Sequence, residues 1–183
     1  MRHFWINLIG NQLVWLCAVA GAGHGLRWPG VLAAGLYVLS QLCLSAQPRV
    51  ELKLIAVALG CGLLVDGIAG GTGRVIYAAA NPVTWLAPVW ILALWAAFAM
   101  TLTVSFAALQ RQWQLAALVG LLLAPLAYVS AARGFSSLAF ALPSWQGIAT
   151  LGVGWAFALP LLARCARHWQ HGYHRLPQTG EAR

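Results

Sequence analysis

Acid is what this sequence has least of: Glu51, Asp66 and Glu181 are the only carboxylate side chains in 183 residues. Catalysis by two carboxylates needs both in one environment, and the apolar middle of the chain holds Asp66 alone. Charge of either sign is scarce, at 8% of residues, where soluble domains carry roughly 25%. A soluble globular domain is thereby excluded. The four cysteines, Cys17, Cys43, Cys61 and Cys165, fall within or at the ends of apolar runs without CxxC or metal-ligand spacing. They read as small reduced hydrophobes. No histidine falls inside a predicted membrane span, which argues against histidine-box di-iron chemistry. HExxH, GxSxG, a phosphate-binding loop and a C-terminal CaaX box are missing too. Nothing therefore calls for a cofactor or a metal, and no catalytic constellation is recognisable.

Apolar residues, by contrast, make up 61% of the chain, and the mean hydropathy is +0.77. Six apolar stretches stand out, at about 3–22, 28–46, 52–70, 85–109, 113–132 and 147–167. Each is near the roughly 20 residues needed to cross hydrocarbon. The predicted fold is an all-α integral membrane protein, a bundle of six transmembrane helices over residues 1–167. A basic, histidine-rich tail, 168–183, follows. The first stretch spans a full bilayer and carries Asn7, Asn11 and Gln12, so it reads as a helix rather than a cleaved leader. Gln47-Pro48-Arg49 and Gln110-Arg111-Gln112 mark turns. The long connection 70–84 is too apolar for a solvated loop and is expected on, or dipping into, the membrane interface. Pro88, Pro125 and Pro160 are expected to bend the last three helices.

With six spans, one side collects Arg2, Arg49, Lys53, Arg111, Arg164, Arg167, Arg175 and Arg183, eight in all, and the other Arg27, Arg74 and Arg133, three in all. The imbalance places both termini in the cytoplasm. Trp5, Trp28, Trp85, Trp113, Trp145 and Trp169 lie near stretch ends, as an interfacial aromatic belt requires. The net charge of +8 is accounted for by topology and anionic lipid. Without an aromatic–basic motif it does not point to nucleic acid.

Asp66 is the only acid within a predicted span, and Ala58, Gly62 and Asp66 share one helix face by four-residue spacing. Two small residues there permit close helix approach, and a carboxylate in hydrocarbon faces the bundle interior with a partner. Three readings stay open: an ion pair with Arg133 or Arg74 that locks helices, a polar pocket with Tyr128 for a lipid headgroup or small solute, and proton coupling. Asn7 and Asn11, with Gln12 beside them and Trp15 a turn further, either hydrogen-bond another helix or recognise a ligand. Thr101 and Ser105 repeat the four-residue spacing, where hydroxyls usually bond their own backbone. His168, His171 and His174 have a spacing that suggests metal, but Gly172 and the lack of supporting acid or thiol favour a basic, aromatic segment on the membrane surface. The candidate polar interior comprises Asn7, Gln12, Trp15, Asp66, Arg74, Tyr128 and Arg133.

Phe4-Trp5-x-Asn7, Gln12-x-x-Trp15, Asp66, Ala87-Pro88-Val89-Trp90-Ile91, Leu94-Trp95-x-x-Phe98-Ala99-x-Thr101-Leu102 and Pro125-Leu126-Ala127-Tyr128 together resemble domain-of-unknown-function family 2878 over nearly the whole chain. Where that family tends to continue with Asn-His-Ser, this chain has Thr103-Val104-Ser105. The resemblance implies a bacterial inner-membrane protein, often encoded near lipid-modifying enzymes, and supplies no activity. The residues favour a protein that binds lipid or a hydrophobic small molecule, partnered by membrane lipids and by membrane proteins of lipid metabolism. A small transporter is the alternative, and a lipid-modifying membrane enzyme the third reading.

Overall fold

The computed structural model of the chain describes residues 1–83 and 85–174. Six α-helices are described: α1 (Arg2–Gly23), α2 (Trp28–Leu44), α3 (Pro48–Gly71), α4 (Val89–Ala99), α5 (Trp113–Phe135) and α6 (Trp145–His174). Four of them, α1, α3, α5 and α6, are long and apolar enough to cross a membrane. The helices α2 and α4 are shorter, with 17 and 11 residues. Large apolar side chains such as Leu13, Leu64, Leu122 and Phe157 lie on the outside of the long helices, as a lipid-facing surface requires.

Prolines set two of the starts: Pro29 and Pro48 occupy the first turns of α2 and α3, where a missing N–H costs nothing. The helix expected over 85–109 is the element that differs most from expectation. Pro88 caps α4 in an extended conformation with ψ 145°, so it starts the helix instead of bending it. At the other end hydroxyls divert the chain. Thr101 donates to the Phe98 carbonyl at 2.6 Å, Thr103 to Glu51 at 3.2 Å and Ser105 to the Asn7 side chain. These bonds compete with helix continuation, and a turn and a short 3-10 helix (Ala107–Arg111) follow. At 1.5 Å per residue, α4 is about 16 Å long. Nearly central in the bundle, it buries Trp90, Ile91, Trp95, Ala97 and Ala99.

The connection after α3 is also more ordered than an interfacial loop. Residues Val75–Tyr77 form β1, antiparallel to β2 (Leu138–Phe140), with Ile76 opposite Ala139. Burial alternates along β1, with Val75 and Tyr77 inward and Ile76 outward, the period of two of a strand. The Trp90 indole donates to the Ala78 carbonyl at 3.0 Å, fixing the segment over the start of α4.

Pro125 and Pro160 lie inside α5 and α6. Pro125 deprives the Leu121 carbonyl of its helical donor, and Gly152 of α6 packs against that carbonyl and the proline ring. Helix α6 continues through His168 and His171, so no break separates the bundle from the tail at 167. Residues 175–183 of that tail lie outside the described residues.

Candidate functional site

Asp66 is fully buried, on the α3 face that also buries Ala58 and Gly62. Three side chains from three other elements donate to it. Tyr77 of β1 and Tyr128 of α5 both reach Oδ1 at 2.7 Å, and the Trp95 indole of α4 reaches Oδ2 at 2.7 Å. Neutral donors thus satisfy the carboxylate, and no arginine is among them. Arg74 donates instead to Thr150 of α6 at 2.9 Å, and Arg133 is exposed. The reason is angular: Arg133 lies five residues past Tyr128, so it points about 140° away around α5. Burial, and then the adjacent carboxylate, push the Tyr77 phenol well above its ordinary pKa, so it stays a donor to Asp66 at any ordinary pH.

Asn7 lies elsewhere, in a second polar knot. Its Nδ2 donates to Gln41 Oε1 at 2.8 Å and to the Met100 carbonyl at 3.1 Å. Its Oδ1 accepts from Ser105, and its backbone carbonyl accepts from Tyr37 at 2.9 Å. Every polar atom of the fully buried amide is used, so Asn7 ties α1 to α2 and to the turn after α4. Glu51, whose carboxylate accepts from Thr103, is buried beside the same turn.

Between α1, α4, α5 and α6 lies a cavity of about 520 Å³, within the usual range for small-molecule sites. Its walls include Trp15, Trp95, Phe98, Phe106, Tyr128 and Trp155, and among the described residues no charged side chain lines it. Trp95 and Trp155 stack with ring centroids 3.9 Å apart, and Phe98 meets Trp155 edge-on at 5.2 Å. One wall is therefore a rigid aromatic block, and it is anchored from behind because Trp95 also donates to Asp66. Gly62 makes this possible: a Cβ there would lie 2.5 Å from Trp95 Cδ1. The rim is open where Gln12 of α1 and Leu123, Leu126 and Ser130 of α5 are exposed.

Of the sequence-predicted set, Gln12, Trp15 and Tyr128 line this cavity. Asp66 stands behind its wall through Trp95 and Tyr128. Arg74 belongs to a shallow outer cleft with Trp145 and Thr150. Asn7 and Arg133 do not line the cavity. Sequence reasoning passed over Trp90, Trp95, Trp155 and Tyr77 as site residues. The signal was there: Trp90, Trp95 and Trp155 fall well inside apolar stretches, unlike the belt tryptophans at the ends.

A family described as protein of unknown function, DUF2878, has a model that matches residues 4–161. The chain belongs to this family. The matched span contains every residue that lines the cavity. No curated protein and no solved structure matches the chain. For this DUF2878 protein, then, the geometry of the cavity carries the functional argument. At the position where the resemblance marks a departure, Thr103 and Ser105 bond Glu51 and Asn7 and line no part of the cavity.

Proposed function

We propose that this DUF2878 protein is a multi-pass membrane protein that holds a lipid or hydrophobic small molecule in the cavity between α1, α4, α5 and α6. The observation that carries the reading is a cavity of about 520 Å³ with aromatic walls and, among the described residues, no charged lining side chain. Its exposed rim between α1 and α5 gives access sideways, from the bilayer. Aromatic rings supply large apolar area at little cost in conformational entropy, and a preorganised wall adds affinity. In this reading the chain crosses the membrane six times with both ends cytoplasmic, the orientation favoured by eight basic residues against three. The segment α2 and the combined run of α4 with the turn after it supply the two crossings beyond the four long helices. An inner-membrane location, membrane lipids as ligands and lipid-metabolism membrane proteins as neighbours belong to the same proposal.

Photo-crosslinking tests it. A diazirine-bearing fatty alcohol, added to the protein in lipid nanodiscs and irradiated, is expected to place its adducts on cavity residues such as Leu94, Phe98 and Val119. Adducts spread evenly over outer residues such as Leu36 and Leu64, with none in the cavity, would contradict it.

A further inference from the structure

Asn11 and Gln12 both line the cavity, and among the described residues neither side chain has a hydrogen-bond partner. Asn7, one turn earlier on the same helix, has all of its polar atoms engaged. The two amides thus differ from the structural one in kind.

Their position sharpens the contrast. Helix α1 has 22 residues, about 33 Å of length, and Asn11 and Gln12 stand at its middle. Where α1 crosses a bilayer they lie near the midplane, roughly 15 Å from either interface. Water is scarce there, and an unpaired carboxamide in hydrocarbon is costly. Each amide offers two N–H donors and a carbonyl acceptor, which a hydroxyl or carbonyl oxygen in a ligand satisfies. Among the described residues the same cavity has no cationic side chain to neutralise a phosphate or carboxylate, and an unpaired ion at that depth is more costly still. A phospholipid headgroup would remain at the interface, out of reach of both amides.

Building on the cavity reading above, we infer that the occupant is an uncharged lipid whose hydroxyl or carbonyl oxygen lies within its hydrocarbon body and is held by Asn11 and Gln12. The aromatic wall of Trp95 and Trp155 takes the hydrocarbon, and the amides select the oxygen.

Three chain-matched tritiated probes separate the possibilities in a scintillation proximity assay on the purified protein. They are dioctyl ketone, heptadecane and heptadecanoate, each at the same mole fraction in detergent. The ketone is expected to bind roughly tenfold tighter than the hydrocarbon, the advantage of about one hydrogen bond to a neutral partner. The anion is expected to bind no tighter than heptadecane. In the double variant Asn11→Leu, Gln12→Leu the ratio of ketone to heptadecane affinity is expected to fall to about one, whatever the change in heptadecane binding itself. Neither side chain has a partner to lose, so this variant is expected to fold and elute as wild type does. Equal binding of ketone and heptadecane in the wild type overturns the inference and leaves the cavity reading standing. So does a ketone preference that survives in the double variant, or heptadecanoate as the tightest probe. Failure of all three probes to bind overturns both.

Discussion

Replacing Asp66 with alanine is expected to cost about 3 kcal/mol of stability, with the apparent melting temperature in detergent falling accordingly. The loss comes from three donors, the buried Tyr77 and Trp95 and the half-buried Tyr128, that share this one acceptor group. An orphaned buried donor costs about 1–3 kcal/mol, and bonds within membranes fall toward the lower end. Asp66→Asn is expected to cost only about 1 kcal/mol. The indole can only donate, whereas phenols also accept. The new amide can therefore turn its oxygen to Trp95 and its NH₂ to the tyrosines. Arg133→Gln serves as the control: the side chain is exposed and does not bond Asp66, so its effect is expected within about 0.5 kcal/mol. Thermal unfolding of the three variants beside wild type checks the order. Equal losses for the alanine and asparagine variants, or a large loss for Arg133→Gln, would mean that charge and not hydrogen bonding holds this site.

Gly120→Val is expected to have the other large effect, loss of the α5–α6 pairing and of the cavity with it. A Cβ at Gly120 would overlap the backbone carbonyl of Trp155, an atom that cannot swing aside as a flexible side chain can. The helices α5 and α6 make the most extensive pairing in the bundle, and their separation would carry Trp155 off the face of Trp95. Overpacking of a tight core costs about 1–3 kcal/mol when the surroundings can relax. Contact with backbone puts this variant at or above the upper end. Gly120→Ala is expected to show the same change to a smaller degree. Size-exclusion profiles and tryptophan emission report both. Native-like profiles for the valine variant would show that the two helices are not held at this distance.

Much of the architecture was legible because hydrocarbon imposes length. The four long helices follow directly from apolar runs of bilayer size, and the turns at Pro48 and Gln112 fall where backbone chemistry puts them. Asp66 stood out because a lone acid in a hydrophobic run must be satisfied internally. Its partners were not legible for an equally physical reason. A search for opposite charge finds Arg74 and Arg133, but a phenol or an indole in an apolar run looks like any other aromatic residue. Only the fold shows that Tyr77, 11 residues along the chain, returns on a strand to meet the carboxylate. The strand itself had a local signal, Val75-Ile76-Tyr77 between Gly73 and Asn81-Pro82, that an apolar setting concealed. Helix α4 failed as a 25-residue prediction (85–109) because hydropathy cannot see hydroxyls that choose partners on other helices, as Thr103 and Ser105 do. The candidate set split along the same line. Asn7 and Asn11 share spacing and residue type, and only tertiary contacts distinguish the helix tie from the free amide.

Native mass spectrometry with lipid extraction from the gently solubilised protein shows whether the cavity holds a hydrophobic ligand. Wild type would be measured beside Ala124→Trp, which fills the cavity from the α5 side while Asp66 and its three donors stay in place. One discrete neutral species is expected at close to one per chain in the wild type, reduced at least tenfold in the variant at equal thermal stability. Bulk phospholipid alone in both, with the same profile whether or not the cavity is filled, would contradict it.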